Sequence, residues 1–171
     1  MMQYLSQKPH CNPFYYYVQF QTRLAARAEA GFAPFLPYMK LFLSGLYGIP
    51  LPPHPITVNR GIDQEVLHLH HVGKSICWWQ FISTTDNISQ VGAFLGAQEH
   101  TVFQITTRSV VSISKFSAMP VENEWIILPL TLLKVVGVLP QARMLQLRDM
   151  DGPVLLDYAH PMLKKAVSLQ T

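Results

Sequence analysis

Pro50-Leu51-Pro52-Pro53-His54-Pro55-Ile56-Thr57-Val58-Asn59-Arg60-Gly61 is where the chain changes character. Four prolines in its first half, with Pro37 upstream, fix φ and remove backbone donors, which makes a rigid extended connector rather than a domain boundary. Ile56-Thr57-Val58 then brings β-branched residues, which suit a pleated, half-buried surface. Helical spacing lies before this stretch, and strand-like runs lie after it.

Upstream, Asn12-Pro13 joins a capping side chain to a residue preset for a first helical turn. Phe14, Val18, Leu24, Ala25 and Ala28 recur at helical spacing as far as Gly31. Pro34 and Pro37 open a second helix with Phe35, Met39, Phe42, Leu43 and Leu46 along one face, and Gly45 and Gly48 weaken its end. Downstream, strands are predicted over residues 56–58, 76–82, 102–106, 110–113, 124–128, 132–138, 144–147 and 154–158. One helix interrupts them, with Asp86 capping residues 88–95 and Gly96 closing it. Helices first and strands afterwards predict an α+β fold with a mainly antiparallel sheet. At 171 residues the chain fits a single domain, helical over about residues 1–50 and β-rich over about 55–160.

Composition narrows the function classes. The chain is 49% apolar and only 13% charged, against about a quarter charged in an ordinary soluble domain, so it is globular and core-rich. Its 13 basic and 10 acidic residues leave +3, and only Lys164-Lys165 are adjacent, so no polybasic footprint for nucleic acid is present. Two cysteines, Cys11 and Cys77, make no disulfide framework, and two reduced thiols are the simpler reading. The first eight residues lack the apolar core of a signal peptide, so a cytoplasmic location is favoured, with export by another route left open. The longest apolar run, residues 125–139, contains Pro129 and Lys134 and falls short of the roughly 18 residues a membrane span needs, so it reads as buried sheet. A monomer is expected.

Three features at strand ends are not called for by the packing pattern: Arg60-Gly61 after the first predicted strand, Ser83-Thr84-Thr85 after the second, and Glu122-Asn123-Glu124 before a later one. Alone, the first is usually a turn, the second a cap or strand end, and the third a solvated edge. Their joint order, with about 20 and then about 40 residues between them and strands at every flank, is more specific. It resembles the arginine-specific mono-ADP-ribosyltransferases of the cholera-toxin-like and vertebrate ecto-enzyme class, which carry an Arg, a Phe-x-Ser-Thr-Ser/Thr and a Glu-x-Glu. Residues 73–81, with Trp79 two before Phe81, resemble that family's second strand. Ser117-Ala118-Met119-Pro120-Val121-Glu122-Asn123-Glu124 resembles its Ser-x-aromatic-Pro-x-Glu-x-Glu loop, and Leu128-Pro129 also fits. The resemblance covers roughly residues 35–139.

The resemblance implies a split sheet around an NAD cleft, with NAD as co-substrate, no metal, and an exposed arginine of a protein as acceptor. Breaking the nicotinamide–ribose bond passes through an electron-poor, oxocarbenium-like sugar. By the family pattern Glu124 stabilises that charge. Two residues before it in an extended segment, Glu122 shares its face and would orient and help deprotonate the incoming guanidinium. Arg60 would pair its planar fork with the pyrophosphate, and Gly61 would let backbone approach the nicotinamide amide. Ser83 would hydrogen-bond the catalytic carboxylate, Thr84 and Thr85 would line the nicotinamide pocket, and Phe94 would lie against the ring. An NAD glycohydrolase on the same site and a non-catalytic binding module of the same fold are the rival readings.

The chain departs from the family pattern in three places. Asn59 stands where the residue before the Arg is often aromatic, Met119 replaces a loop aromatic, and Trp125 replaces a smaller β-branched residue. Asn59 and Met119 bear on affinity and target choice more than on chemistry. His68-Leu69-His70-His71 projects two rings to one face if extended, but no further Cys or carboxylate recurs at ligand spacing, so structural histidines are expected. Trp78-Trp79 reads as a core pair with one member outward, and Asp149-Met150-Asp151-Gly152 as a hairpin turn rather than a calcium loop.

Overall fold

The computed structural model describes residues 33–95, 99–117 and 123–150 together with Gln19 and Thr22. The helix expected over residues 12–31 and the strand expected over 154–158 lie outside these, apart from Gln19 and Thr22, both helical. The chain divides into two compact units, Met1–Leu43 and Ser44–Thr171. A 3-10 turn at Ala33–Phe35 leads into α1 (Leu36–Tyr47), most of which belongs to the first unit, where the sequence spacing placed the second helix. Pro37 sits in its first turn, where no intrahelical donor is needed. Tyr38 and Phe42, one turn apart, stack with ring centroids 5.9 Å apart.

The second unit is built on β1 (Ile56–Ile62), β2 (Ser75–Trp78), β3 (Ile82–Thr85), β4 (Thr101–Thr107), β5 (Val110–Ser112), β6 (Glu124–Ile127), β7 (Thr131–Leu139) and β8 (Met144–Asp149). A short helix, α2 (Ile88–Phe94), joins β3 to β4. The strands form one sheet in the order β2-β7-β8-β4-β1-β3-β6-β5, antiparallel throughout except for the parallel β4–β8 pair. This is the α+β, mainly antiparallel architecture that the sequence implied.

Strand order rules out a flat sheet. β2 and β3 are separated by only residues 79–81, a link from Trp78 to Ile82 that reaches at most about 14 Å. Five strand spacings lie between them in the sheet order, about 24 Å if laid flat. The sheet must therefore curl until β2 and β3 come near, facing one lobe with the other. The core confirms this. Val110, Ile127 and Ile82 from β5, β6 and β3 join Leu133, Val135, Leu145, Leu147, Ile105, Phe103 and Val58 from the other lobe in one buried cluster. Trp78 closes against Phe103 edge-on at 5.5 Å while Trp79 turns outward, the division expected of this pair.

Three local expectations are corrected. Residues 76–82 are two strands rather than one, because the chain crosses between lobes there. Arg60-Gly61 and Ser83-Thr84-Thr85 lie within β1 and β3, not after them, because their backbones stay paired to β4 and β6. Asn87, not Asp86, caps α2: its side chain accepts from Ser89 N at 3.0 Å. Asp86 instead accepts from Trp125 Nε1 at 3.2 Å, which gives the unusual Trp125 a partner.

Candidate active site

β1 is laddered to β4 along its whole length, through seven registered pairs from Ile56↔Thr107 to Ile62↔Thr101. On its other side it meets β3 at one pair, Asn59↔Thr85, and then parts from it. A hollow of about 310 Å³ lies at that parting. Asn59, Arg60 and Gly61 line it from β1, Ser83, Thr84 and Thr85 from β3, Gln90 and Val91 from α2, and Glu124 from β6.

The register of β3 with β6 places Glu124. It lies directly opposite Thr85, and Ser83 opposite Ile126, so Glu124 and Ser83 are diagonal neighbours on one face. Ser83 Oγ donates to Glu124 Oε1 at 2.5 Å, the length of a charge-assisted bond to a carboxylate. The Glu124 backbone is held as well, its carbonyl accepting from Ile113 N at 3.0 Å. Asn123, at φ 44°, turns the chain into β6 through the left-handed region that asparagine tolerates.

Arg60 reaches across the parting, where its Nη1 donates to the carbonyl of Ser83 at 3.0 Å. One residue of β3 thus bonds the arginine through its backbone and the glutamate through its side chain. Thr84 is buried and ties β3 to β6 through Oγ1 to the Trp125 carbonyl at 2.9 Å. Thr85 Oγ1 donates to Gln90 Oε1 at 2.8 Å and accepts from Asn87 N at 3.1 Å, which docks the start of α2 on the hollow. Gly61 has a packing reason to lack a side chain: a Cβ there would stand 2.7 Å from Leu95 Cδ2 and 2.9 Å from Val91 Cγ1.

Six expected site residues, Arg60, Gly61, Ser83, Thr84, Thr85 and Glu124, therefore converge on one hollow. Glu122 and the side chain of Phe94 lie outside the described residues. Gln90 and Val91 were not expected. Their signal was only indirect, a capped helix directly after the Ser-Thr-Thr run.

The family model for NAD:arginine ADP-ribosyltransferases matches residues 1–151. The chain belongs to that family. The family's chemistry is NAD-dependent ADP-ribosyl transfer. Solved structures of bacterial proteins share the fold at low identity. The ADP-ribosyltransferase Vis of Vibrio splendidus, in complex with agmatine, aligns at TM-score 0.62 and 16% identity, over 82% of this chain and 71% of that one. HopU1 of Pseudomonas syringae aligns at 0.63 and 21%, over 81% and 66%. Exoenzyme S of Pseudomonas aeruginosa, bound to carba-NAD and a human 14-3-3 protein, aligns at 0.61 and 16%, over 91% and 78%. No curated protein matches the chain.

The histidine run stands apart from this site. It forms a 3-10 turn at Leu67–Leu69 rather than a strand, so His68 and His70 are not held on one extended face. His68 Nδ1 pairs with Glu65 at 2.8 Å, and His70 Nδ1 with the Val66 carbonyl at 2.8 Å. The Glu65 carboxyl is held below its ordinary pKa, first by the hydrogen bond from His68. No described helix is long and apolar enough to cross a membrane.

Proposed function

We propose that this protein transfers ADP-ribose from NAD to the side chain of a protein arginine, releasing nicotinamide. The observation that carries the reading is the chain of contacts Arg60–Ser83–Glu124 across the hollow. It sets a guanidinium and a carboxylate on opposite sides of one small space. NAD presents the matching pair of charges in its pyrophosphate and, during reaction, its nicotinamide ribose. The lining fits such a dinucleotide, being rich in hydroxyls and amides around a glycine with no side chain.

In this reading Arg60 holds the pyrophosphate, and the hydroxyl of Ser83 keeps Glu124 aimed at the ribose. The bond between the anomeric carbon and the nicotinamide nitrogen breaks, and its electron pair leaves with neutral nicotinamide. Glu124 stabilises the positive charge left on the sugar. A guanidinium nitrogen then bonds to the anomeric carbon and gives up a proton, for which Glu122 is the proposed acceptor. The acceptor chemistry draws support from the agmatine complex of Vis, because agmatine carries the same guanidinium as arginine.

Glu122→Gln tests the arginine assignment. Water needs little orientation to capture such a sugar, whereas a protonated guanidinium must be held and deprotonated. The variant should lose transfer to agmatine while NAD hydrolysis survives. Equal loss of both activities would place Glu122 in the sugar-cleaving machinery and remove the assignment.

A further inference from the structure

The reaction proposed above makes no use of Asn59, although it lines the hollow beside Arg60. Asn59 is only 4% exposed and supplies the one registered pair between β1 and β3. Its Nδ2 donates to the Thr85 carbonyl at 3.4 Å, a long contact for an amide and a carbonyl. Its Oδ1 is buried and accepts no hydrogen bond from any described residue. Half-satisfied burial of this kind is unfavourable, and an apolar side chain of similar size would avoid it. An amide held at a buried position beside the hollow, where an apolar side chain would need no partner, points to a task at the site.

That effect follows from its place. The next residue of β1 is Arg60, and the strand across the gap carries Ser83 with Glu124 bonded to it. The β1 backbone is fixed by its ladder to β4, whereas toward β3 it keeps the single Asn59↔Thr85 pair, beside which the Asn59 amide and the Arg60 guanidinium also reach over. We infer that Asn59 is a positioning residue: its amide braces β1 against Thr85, and so sets the separation of Arg60 from Ser83 and Glu124. The inference rests on NAD occupying this hollow. Binding through Arg60 alone tolerates a shifted strand, whereas the transition state needs Arg60 and Glu124 in register at once.

Asn59→Leu, matched in size, removes both the donor and the unpartnered acceptor. Its melting temperature should be unchanged or higher, while kcat for nicotinamide release falls about tenfold or more and KM for NAD moves less. A purely structural residue would move stability and activity downward together, so a lower melting temperature with lost activity overturns the inference. An unchanged kcat overturns it too. A second pair of equal length, Asn59→Gln and Asn59→Met, differs mainly in the amide. Gln should retain the higher kcat, and equal values would mean that the amide positions nothing. Wild-type protein that releases no nicotinamide would instead remove the NAD reading itself, a result distinct from wild-type turnover that Asn59→Leu leaves intact.

Discussion

The two sides of β1 do different work. Toward β4 it is zipped through seven pairs, with Val58 facing Ile105 and both fully buried. Toward β3 it keeps one pair, and polar side chains from four elements fill the space that a ladder would have closed. On the first side, backbone bonding and apolar burial are spent on stability. On the second, strands that no longer bond each other leave room for a ligand, and side-chain bonds such as Arg60 to Ser83 substitute for the missing ladder. Changes on the β4 side should therefore act on folding, and changes on the β3 side on chemistry.

The largest expected effect is at Glu124. Glu124→Gln keeps the shape and a hydrogen-bond acceptor but removes the charge that the proposed transition state needs. Nicotinamide release should fall about a hundredfold to a thousandfold, roughly 3–4 kcal/mol, with the denaturation midpoint and NAD affinity little changed. A variant that keeps more than about a tenth of wild-type turnover has no such electrostatic role to lose.

Arg60→Lys is next. A point charge cannot replace a planar fork that bonds the Ser83 carbonyl and, in the proposed function, the pyrophosphate as well. NAD affinity measured by calorimetry should weaken about tenfold, ~1.4 kcal/mol. Unchanged affinity would leave Arg60 as a brace between strands and nothing more.

Ile105→Val breaks the other side. Ile105 is fully buried in the centre of the core, so losing one methylene should reduce stability by about 1 kcal/mol in a denaturant titration. Nicotinamide release per folded molecule should stay at the wild-type rate. A fall in turnover without a fall in stability would blur the division between the two sides.

The smallest effect lies outside both. Since His68 holds the Glu65 carboxyl below its ordinary pKa, Glu65 contributes stability above the usual glutamate range. That contribution is lost as pH falls through the lowered folded value. Glu65→Gln should therefore show a slightly lower denaturation midpoint than wild type near neutrality, and the difference should close in acid. A gap that widened in acid would reverse the sign.

Much of this contrast was legible in the residues. Ile56, Val58 and the apolar runs of β4, β7 and β8 announce strands locally, because β-branching and alternation are properties of the segment itself. The three signatures were also readable in order, and six of their residues meet in the hollow. What could not be read is what depends on distant strands. Residues 79–81 look like more strand, since only the curl of the sheet makes them a crossing. Arg60-Gly61 and Ser83-Thr84-Thr85 look like strand ends, since polar residues within a strand make sense only once a cleft opens beside them. Asp86 reads as the cap on paper, but its carboxylate accepts from Trp125 Nε1 of β6, and Asn87 caps α2 instead. Gln90 and Val91 carry no signature at all, and α2 brings them to the site by packing against Gly61.

The most direct test of the central claim is the product formed by the wild-type protein from labelled NAD in the presence of agmatine. The account predicts ADP-ribosyl-agmatine together with one equivalent of nicotinamide, and neither product from Glu124→Gln. Free ADP-ribose alone would make the hollow a hydrolase site, and no nicotinamide at all would mean that the parting of β1 from β3 is not where NAD reacts.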